Sequence, residues 1–362
     1  MPRDGLVFHV QKVAGISGSE AHLLQLLPDL RERGWEVEFL MLHEDEPGAW
    51  EFAHELEARG VPLDDVRLRA DVDPIAYAEV AALFARRRPR ILHTHLVHAD
   101  VYGQIAGAMV RVPLRLSTKH GFNWFREGRF FGLADRAVAS LAHVHIAISQ
   151  GLARYLAEIE GFAEEDFEIV HYGIAGSDGV QPYAGEQPRL LCVGRLIPIK
   201  GHLVLLRALA QARGRVPELV LDVAGQGPLE PALRAYAKEL GLSDAVHFVG
   251  FVSPIQVALE RSVAVVVPSL GEGFGMVALE AMERGRAVIA SDVGGLPEIV
   301  ADGETGFVVP AGDAEALAGA MVSVASDLPR AAAMGEAGRR RALESFTQER
   351  STEGIESLYL RH

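Results

Sequence analysis

Short apolar runs alternate with amphipathic stretches along the whole chain, and this alternation restricts the possible folds more than any other feature. In the first half, strands are predicted at GLVFHV, VEFLML, RILHTH, LRLSTKH and VHIAIS, with helices between them over residues 19–33, 74–88, 98–110 and 149–159. Alternating strands and helices build a parallel sheet that carries helices on both faces. The pattern therefore predicts a doubly wound α/β domain over residues 1–175.

A second series of the same kind follows residues 176–188, a stretch rich in Gly and Pro that is typical of a linker. Its strands are predicted at RLLCVG, LVLDVAG, VHFVG, AVVVP, AVIAS and GFVVP. We expect a second Rossmann-like domain over residues 189–344 and a helix over 345–362 that packs back towards the first domain. Ligands of such sheets bind at the carboxyl ends of the strands, so two facing domains would form a closing cleft.

Composition and charge exclude several classes of protein. The 362 residues carry a net charge of −14, which argues against a nucleic-acid partner held by bulk electrostatics. The single cysteine, Cys192, allows no disulfide within the chain, which is typical of a reducing cytoplasm. No apolar segment reaches the ~18 continuous residues that a membrane-spanning helix needs, so a cytoplasmic protein without a span is predicted.

Two glutamates stand eight positions apart in PSLGEGFGMVALEAM, and they carry the strongest functional signal. Glu272 lies in a glycine-rich loop, and Glu280 lies about two turns into a helix that is predicted to start near Met276. The amides at a helix start bind anions, and carboxylates accept hydrogen bonds from hydroxyl groups. A nucleotide sugar, with phosphates between two polyhydroxylated rings, matches this combination.

Other strand ends of the second half offer weaker motifs. In GRLIPIKG, Arg195 and Lys200 could neutralise a diphosphate, although the motif also fits an ordinary solvated loop. The glycines of VAGQGPLE could let the backbone pass close to a ligand, or form a plain turn. In HFVGFVSP, backbone groups after Gly250 could read the edge of a base, and VGGLPEIV predicts a turn into a short helix.

The first half contributes a glycine loop and several histidines. Gly15 and Gly18 follow the first strand and permit close approach of a phosphate or sugar, although the loop is neither a GxGxxG motif nor a P-loop. His93 and His95 alternate at a strand end, so their side chains should share one face. Neither a cysteine nor an HExxH motif accompanies them, so no metal site is expected. His120 ends the next strand, where it could contact a sugar or phosphate, or simply pack.

Taken in order and spacing, GRLIPIKG, VAGQGP, GEGFGMVALEAM, SDVGGLPEIV and GETGFVV resemble the family 4 retaining glycosyltransferases of the GT-B fold. The resemblance covers nearly the whole chain, and HTHLVHADVYGQIAG and STKHG look like members that build bacterial glycans and polysaccharides. It implies two Rossmann-like domains that face a central cleft. Two positions depart from the family pattern: HYGI, with Tyr172, replaces a frequent Asn-Gly, and SGSE replaces a frequent GGAE.

The resemblance also implies roles for single residues. Arg195 and Lys200 would hold the donor diphosphate, Glu280 the ribose hydroxyls and Glu272 the hydroxyls of the donor sugar. His120 would lie beside the transferred sugar and complete the catalytic set. The remaining donor-binding residues would be glycines over the phosphate, backbone of the helix start and neighbours of the base, namely Gly15, Gly18, Gly273, Phe274, Gly275, Met276, Val277, Gly250 and Phe251.

The function expected from the resemblance is transfer of a sugar, with retention, from a nucleoside diphosphate sugar to an acceptor in glycan or polysaccharide biosynthesis. Uracil is the expected base, with guanine and adenine as alternatives. The second half shows no DxD-like motif, so metal-independent activity without a cofactor is expected. The alternatives are a sugar-nucleotide epimerase or hydrolase on the same fold and a non-catalytic nucleotide-sugar-binding subunit.

The acceptor would be a glycan, a lipid-linked sugar or a small molecule, and the first domain would bind it. The candidates on that side are His93, His95, His98, Phe122 and Trp124. Aromatic residues over 122–131 could form an acceptor platform, a membrane-facing patch or core. A lipid-linked acceptor would place the enzyme at the inner face of the membrane without spanning it.

Overall fold

The computed structural model describes residues 5–122, 136–177, 180–181, 183, 185 and 187–361. The chain divides into two compact units. Unit 1 consists of Met1–Gly173 together with Gln348–His362, and unit 2 consists of Ile174–Thr347. The last helix of the chain therefore belongs to the same unit as the first strand.

The sheet of unit 1 contains seven described strands, all parallel, in the order β3-β2-β1-β4-β5-β6-β7. Their bounds are β1 Leu6–Lys12, β2 Glu36–His43, β3 Leu63–Arg67, β4 Ile91–His95, β5 Leu114–Lys119, β6 Val144–Ala147 and β7 Phe167–Ile169. The helices are Gly18–Glu32, Pro47–Ala58, Pro74–Arg87, Leu96–Ala99, Ile105–Met109, Gln150–Glu160 and Gln348–Arg361, with a π-helical turn over Asp100–Gln104 and a 3-10 turn over Glu164–Asp166.

The sheet of unit 2 contains six described strands, again all parallel, in the order β10-β9-β8-β11-β12-β13. Their bounds are β8 Arg189–Val193, β9 Val220–Ala224, β10 Val246–Gly250, β11 Ala264–Val267, β12 Ala287–Ser291 and β13 Gly306–Val309. The helices are His202–Arg213, Glu230–Glu239, Gln256–Glu260, Met276–Glu283, Leu296–Ile299, Ala314–Ser326 and Leu328–Ser345, with a 3-10 turn over Pro198–Lys200.

These sheets confirm the predicted fold class of two doubly wound α/β units. Their central strands are continuous apolar runs because helices cover both faces, as in β11 and β12, where every residue is buried. Three elements of unit 1 escaped prediction. Strand β3 (LDDVR) is too polar to resemble a strand, β7 has only three residues, and the helix Pro47–Ala58 opens with Pro-Gly. Within the described residues, no helix is both long and apolar enough to cross a bilayer.

The two sheets reverse their strand order at equivalent places. In unit 1, β1 lies between β2 and β4, and in unit 2, β8 lies between β9 and β11. The connections leave such a central strand pair in opposite directions, so the loops at its carboxyl ends diverge and leave a crevice where α/β proteins bind ligands. We call these places switch point 1 (between β1 and β4) and switch point 2 (between β8 and β11).

Candidate active site

The loops that follow β8 and β9 in unit 2 are hydrogen-bonded to each other. Leu196 donates its backbone N–H to the carbonyl of Gln226 at 2.9 Å. A Cβ on Gly225 would lie 1.9 Å from the carbonyl oxygen of Gly194, and one on Gly227 would lie 2.5 Å from that of Leu196. The glycines of VAGQGP thus bring their backbone close to the preceding loop, whereas the sequence suggested close approach to a ligand.

At switch point 2, two of the predicted charged residues form an ion pair. Lys200 Nζ lies 2.7 Å from Glu272 Oε2, and Ser269 Oγ donates to the same oxygen at 3.0 Å. The backbone N–H of Leu270 donates to the carbonyl of Ile199 at 2.7 Å and holds the two loops together. The Lys200 and Glu272 side chains are 25% and 16% exposed, so both can still meet a ligand.

The helix that carries Glu280 begins at Met276, as predicted. Gly275 precedes it with a φ of +110°, and a Cβ there would lie 2.5 Å from Leu296 Cδ2, so only glycine fits. The amides of Met276 and Val277 come before the first hydrogen bond back to Gly275, which Ala278 donates at 2.9 Å. They therefore form the positive end of the helix, which begins four residues after Glu272.

Phe274 contributes its backbone rather than its ring to this loop. Its side chain is buried and packs edge-on against Phe346, with ring centroids 5.9 Å apart. By contrast, the side chain of Phe251, which directly follows β10, is 75% exposed. Gly250 before it has a φ of +72° and turns the chain out of β10.

Glu280 differs from its neighbour Glu283 in how its charge is balanced. Glu283 accepts hydrogen bonds from the backbone N–H of Ser177 at 2.8 Å and lies 3.3 Å from Arg339 Nη1. Burial, together with the nearby charge of Glu283, raises the pKa of Glu280 to about 7. Among the described residues, none forms a hydrogen bond or ion pair with the Glu280 carboxylate.

In unit 1, the two strands that flank switch point 1 carry a stack of imidazole rings. His9 from β1 and His93 and His95 from β4 have ring centroids 4.4–5.1 Å apart. This confirms that His93 and His95 share one face. Their rings are 0% and 1% exposed, so the expected direct contact of His93 and His95 with an acceptor is not possible in this structure. No sequence pattern pointed to His9, a single histidine within an apolar strand.

His120 has partners for both ring nitrogens. Its Nε2 lies 2.9 Å from His95 Nδ1, and its Nδ1 is hydrogen-bonded to the hydroxyl of Tyr172. Burial holds the pKa of His120 well below its ordinary value, so the neutral ring cannot offer a positive charge to a phosphate. Tyr172, which departs from the family pattern, is buried and packs on His22 with ring centroids 4.3 Å apart.

The glycine loop after β1 leads into a capped helix. A Cβ on Gly18 would meet nothing within 4 Å, and one on Gly15 would reach only the Gly48 Cα at 4.0 Å, so packing within unit 1 requires neither glycine. Glu20 accepts from the backbone N–H of Ser17 at 3.1 Å and caps the helix.

Comparison with known proteins identifies the family. Residues 178–341 match the family model described as glycosyl transferases group 1, and residues 17–173 match a glycosyl transferase 4-like domain. The lipopolysaccharide core biosynthesis mannosyltransferase LpcC of Rhizobium leguminosarum is 30% identical over 311 residues, which is 81% of this chain and 85% of that protein. The chain belongs to the group 1 glycosyltransferases.

Two further comparisons support the assignment. A GDP-mannose-dependent alpha-(1-6)-phosphatidylinositol monomannoside mannosyltransferase of Mycolicibacterium smegmatis is 39% identical over 171 residues, or 45% of either chain. The crystal structure of HepE from Anabaena in complex with UDP and glucose has a TM-score of 0.81 and 21% identity, and covers 99% of this chain and 100% of that one. The second likeness shows the fold, and the predicted GT-B class is confirmed.

The remaining acceptor-side candidates of this glycosyltransferase are only partly described. His98 is 37% exposed, with its Nε2 3.8 Å from Asp71 Oδ1. Phe122 packs on Tyr155 with ring centroids 4.2 Å apart. Trp124, and with it Phe125, Phe130 and Phe131, lies outside the described residues.

A buried ion pair in unit 1 was missed altogether. Lys119 Nζ lies 2.6 Å from Asp100 Oδ2, and the hydroxyls of Thr94 and Ser117 donate to the other carboxylate oxygen at 2.6 and 2.7 Å. Asp100 opens the π-helical turn that follows β4, an irregularity that is frequent near functional sites. Leu96, four residues before Asp100, has a φ of +66°, which is unfavourable for a non-glycine residue. The amphipathic pattern of the segment gave no warning of this break.

Proposed function

We propose that this group 1 glycosyltransferase moves a sugar from a nucleoside diphosphate sugar to an acceptor, with retention at the anomeric carbon. The observation that carries the proposal is the Lys200–Glu272 pair at switch point 2, in a loop that runs directly into the helix start at Met276. A ligand that meets cations, helix amides and two carboxylates together must carry phosphates and hydroxyl groups. A nucleotide sugar has both.

The contacts of unit 2 support a division of roles. Lys200 and Ser269 both bind Oε2 of Glu272, which leaves Oε1 for a hydroxyl of the donor sugar. Arg195 is exposed, has no ion-pair partner among the described residues, and would hold the diphosphate together with Lys200. Glu280 would accept from the ribose hydroxyls, and Phe251 would lie near the base.

In the proposed reaction, the bond between the anomeric carbon and the diphosphate oxygen breaks. The acceptor oxygen bonds to the same face of that carbon, and the leaving phosphate oxygen takes the acceptor proton. Arg195, Lys200 and the helix start would stabilise the charge that develops on the diphosphate, so the reaction would need no metal. His120 would lie beside the transferred sugar as a neutral ring, with Gly15 and Gly18 near the donor.

The donor base and the acceptor stay predictions. Uracil was expected from the family resemblance, whereas the M. smegmatis relative is named for GDP-mannose. A screen of thermal stability should therefore include UDP-sugars and GDP-mannose, because a bound donor raises the melting temperature by mass action. Glycans and lipid-linked sugars are the proposed acceptors, and a lipid-linked acceptor would bring the enzyme to the inner membrane face.

The decisive experiment compares Lys200→Ala and Glu272→Ala with matched controls. We expect each variant to lose about 100-fold or more in kcat/KM, as when a group that stabilises developing charge is removed. Lys238→Ala and Glu239→Ala change exposed residues of one helix in the same unit and should keep the wild-type rate. If the two site variants transfer sugar at the wild-type rate, the proposal is wrong.

The same assay separates the rival functions. Turnover of the donor without any acceptor would indicate an epimerase or hydrolase. Tight donor binding without product, across a broad panel of acceptors, would indicate a binding subunit. Unchanged transfer in the presence of a chelator is expected from the metal-independent mechanism.

A further inference from the structure

A continuous chain of hydrogen bonds runs through the interior of unit 1. It joins seven side chains, and all of its links are side chain to side chain. Listed from one end to the other, they are Thr118, His93, Tyr359, His9, His95, His120 and Tyr172. The distances that define it are 2.6 Å from Thr118 Oγ1 to His93 Nε2, 2.7 Å from His93 Nδ1 to the Tyr359 hydroxyl and 3.0 Å from that hydroxyl to His9 Nε2.

The second half of this hydrogen-bond chain joins the rings of His9, His95 and His120 in the same manner. His9 Nδ1 lies 2.9 Å from His95 Nε2, and His95 Nδ1 lies 2.9 Å from Nε2 of His120. His120 Nδ1 then meets the Tyr172 hydroxyl. Each ring thus forms one hydrogen bond of the chain through each of its two nitrogens. The C-terminal helix supplies Tyr359, which links His93 to His9.

This arrangement fits neutral imidazoles better than a metal centre. Nitrogens of His9, His93 and His95 lie within 4.8 Å of one another, close enough to consider an ion. However, each of their six ring nitrogens already has a hydrogen-bond partner. Burial lowers the pKa of all three rings and of His120, that of His93 to about 3, so each ring carries one N–H donor and one acceptor.

In such a chain the rings cannot choose their tautomers independently. If His95 donates from Nδ1, His120 must accept at Nε2 and so carry its proton on Nδ1. One reversed ring would place two N–H groups, or two lone pairs, against each other and so leave buried polar groups unsatisfied. Only two states satisfy every link and also give the Tyr359 hydroxyl hydrogen an acceptor: in one all imidazole protons are on Nδ1, and in the other all are on Nε2.

Thr118 selects between these two states. Its hydroxyl is buried and has no other hydrogen-bond partner among the described residues. If His93 donated to it, the hydroxyl hydrogen of Thr118 would have no acceptor. If Thr118 donates to His93 Nε2, that hydrogen is satisfied, and His93 carries its proton on Nδ1. Every later hydrogen bond then has the same direction of donation, and the Tyr172 hydroxyl accepts the last one, from His120 Nδ1.

We propose that all hydrogen bonds of this chain are donated in this single direction. Tyr359 is then a positioning residue, because its hydroxyl links His93 to His9 and so holds His120 in its Nδ1–H tautomer. For catalysis the inference rests on the proposed function, because it matters only if His120 lies beside the transferred sugar. The C-terminal helix then does more than pack on unit 1, since it completes the link that orients a ring of the site.

The test is the protonation pattern of the histidines in the full-length enzyme, measured by long-range ¹H–¹⁵N correlation NMR with labelled histidine. In the wild type we expect His9, His93, His95 and His120 each to show one tautomer, with the proton on Nδ1. In Tyr359→Phe the link between His93 and His9 is lost, so His9, His95 and His120 should show both tautomers. Tyr77→Phe removes a tyrosine hydroxyl elsewhere in unit 1 and should leave the pattern unchanged.

Thr118→Val provides a second, independent break at the start of the chain. It should change the His93 signals even if Tyr359→Phe lowers the yield of folded protein. An Nε2–H tautomer for His120 in the wild type would overturn the direction, as would a stoichiometric divalent ion retained by the purified enzyme. Unchanged His95 and His120 signals in folded Tyr359→Phe would overturn the role of Tyr359.

Kinetics separate this inference from the proposed function. We expect Tyr359→Phe to lower kcat several-fold and to leave the KM for the donor unchanged, because the donor-binding residues of unit 2 are untouched. Altered tautomers with a wild-type kcat would support the hydrogen-bond chain and remove His120 from the catalytic set. If Lys200→Ala loses donor turnover but keeps the wild-type histidine tautomers, the loss belongs to the donor site and not to the hydrogen-bond chain.

Discussion

At switch point 2, Lys200 and Glu272 pair across two loops and keep part of their side chains in solvent. In unit 1, whose sheet has the same strand order around switch point 1, His9, His93 and His95 lie within strands β1 and β4 rather than in the loops beyond them, and they are buried. The strand order is thus the same, but the polar side chains differ in position and in how they are satisfied. The charged Lys200–Glu272 pair lies in loops and stays partly exposed, whereas the neutral rings of unit 1 are buried with a partner for each nitrogen.

The comparison extends to two Lys–carboxylate pairs of similar length. The Lys119–Asp100 pair in unit 1 is 2% and 1% exposed, and two hydroxyls also donate to Asp100. The Lys200–Glu272 pair in unit 2 is 25% and 16% exposed. The first lies inside the fold at the start of a π-helical turn, and the second keeps part of both side chains in solvent.

The largest effect should come from removing the lysine of the buried pair. Lys119→Met leaves Asp100 charged and without its cation, so the free energy of unfolding should fall by about 3–5 kcal/mol. Lys200→Met removes a partly exposed partner and should cost below about 1 kcal/mol. Urea unfolding measures both, because the three tryptophans, Trp35, Trp50 and Trp124, lie in unit 1 and circular dichroism follows both units. Equal losses in the two variants would contradict the contrast.

A substitution at Glu280 tests whether unit 2 holds a largely buried carboxylate without a protein partner. Its folded pKa of about 7 exceeds the ordinary 4.5, so folding favours the protonated form, and its contribution is lost as the pH rises from about 4.5 to 7. Glu280→Gln should therefore stabilise the ligand-free protein at pH 8 by up to about 3 kcal/mol, at roughly 1.4 kcal/mol per pH unit, and have no such effect at pH 4. Urea unfolding at both pH values, with the exposed Glu239→Gln as control, measures this; a pH-independent difference would refute it.

Arg195 tests whether the exposed cation acts on the ligand. Arg195→Ala should lower kcat/KM by about 10- to 100-fold, because a charge-assisted contact to the diphosphate is lost. Arg195→Lys keeps the charge without the planar fork and should lose less. Steady-state kinetics compare them with Arg207→Ala, which changes another exposed arginine of unit 2. An Arg195→Ala enzyme as active as this control would remove Arg195 from the site.

The smallest effect is expected at the surface of unit 1. Arg361 on the C-terminal helix lies 3.1 Å from both carboxylate oxygens of Glu168, but the two side chains are 54% and 43% exposed. Arg361→Ala should change the free energy of unfolding by below about 1 kcal/mol, as measured by urea unfolding. A loss as large as that of Lys119→Met would show that the unit, rather than burial, decides the strength of a pair.

Much of unit 2 could be predicted from sequence because its signals are local. Periodicity predicted the six strands, and Gly275 before the apolar run predicted the helix start at Met276. The contact between Lys200 and Glu272 could not be predicted in this way, because it joins loops 72 residues apart that meet only through the strand order. The roles that the family resemblance implies for these residues stay predictions.

Unit 1 was less predictable because its site is built from distant contacts. His9 and Tyr359 stand 350 positions apart and share a hydrogen bond, which no local pattern reports. Alternation correctly placed His93 and His95 on one face, but it could not tell a buried face from an open one. That distinction depends on the C-terminal helix. The Trp35 side chain helps hold this helix in place by donating a hydrogen bond of 3.0 Å to Glu356.

The sequence by itself determined the two parallel sheets, the glycine-rich loops at their strand ends and the family, because apolar periodicity and glycine positions act over a few residues. Only the tertiary structure decided which polar side chains became buried and what they bind. Burial requires every donor and acceptor to find a partner, and those partners come from distant strands and from the last helix. The same strand order thus carries a charged, partly exposed pair in the loops of unit 2 and neutral, buried rings on the strands of unit 1.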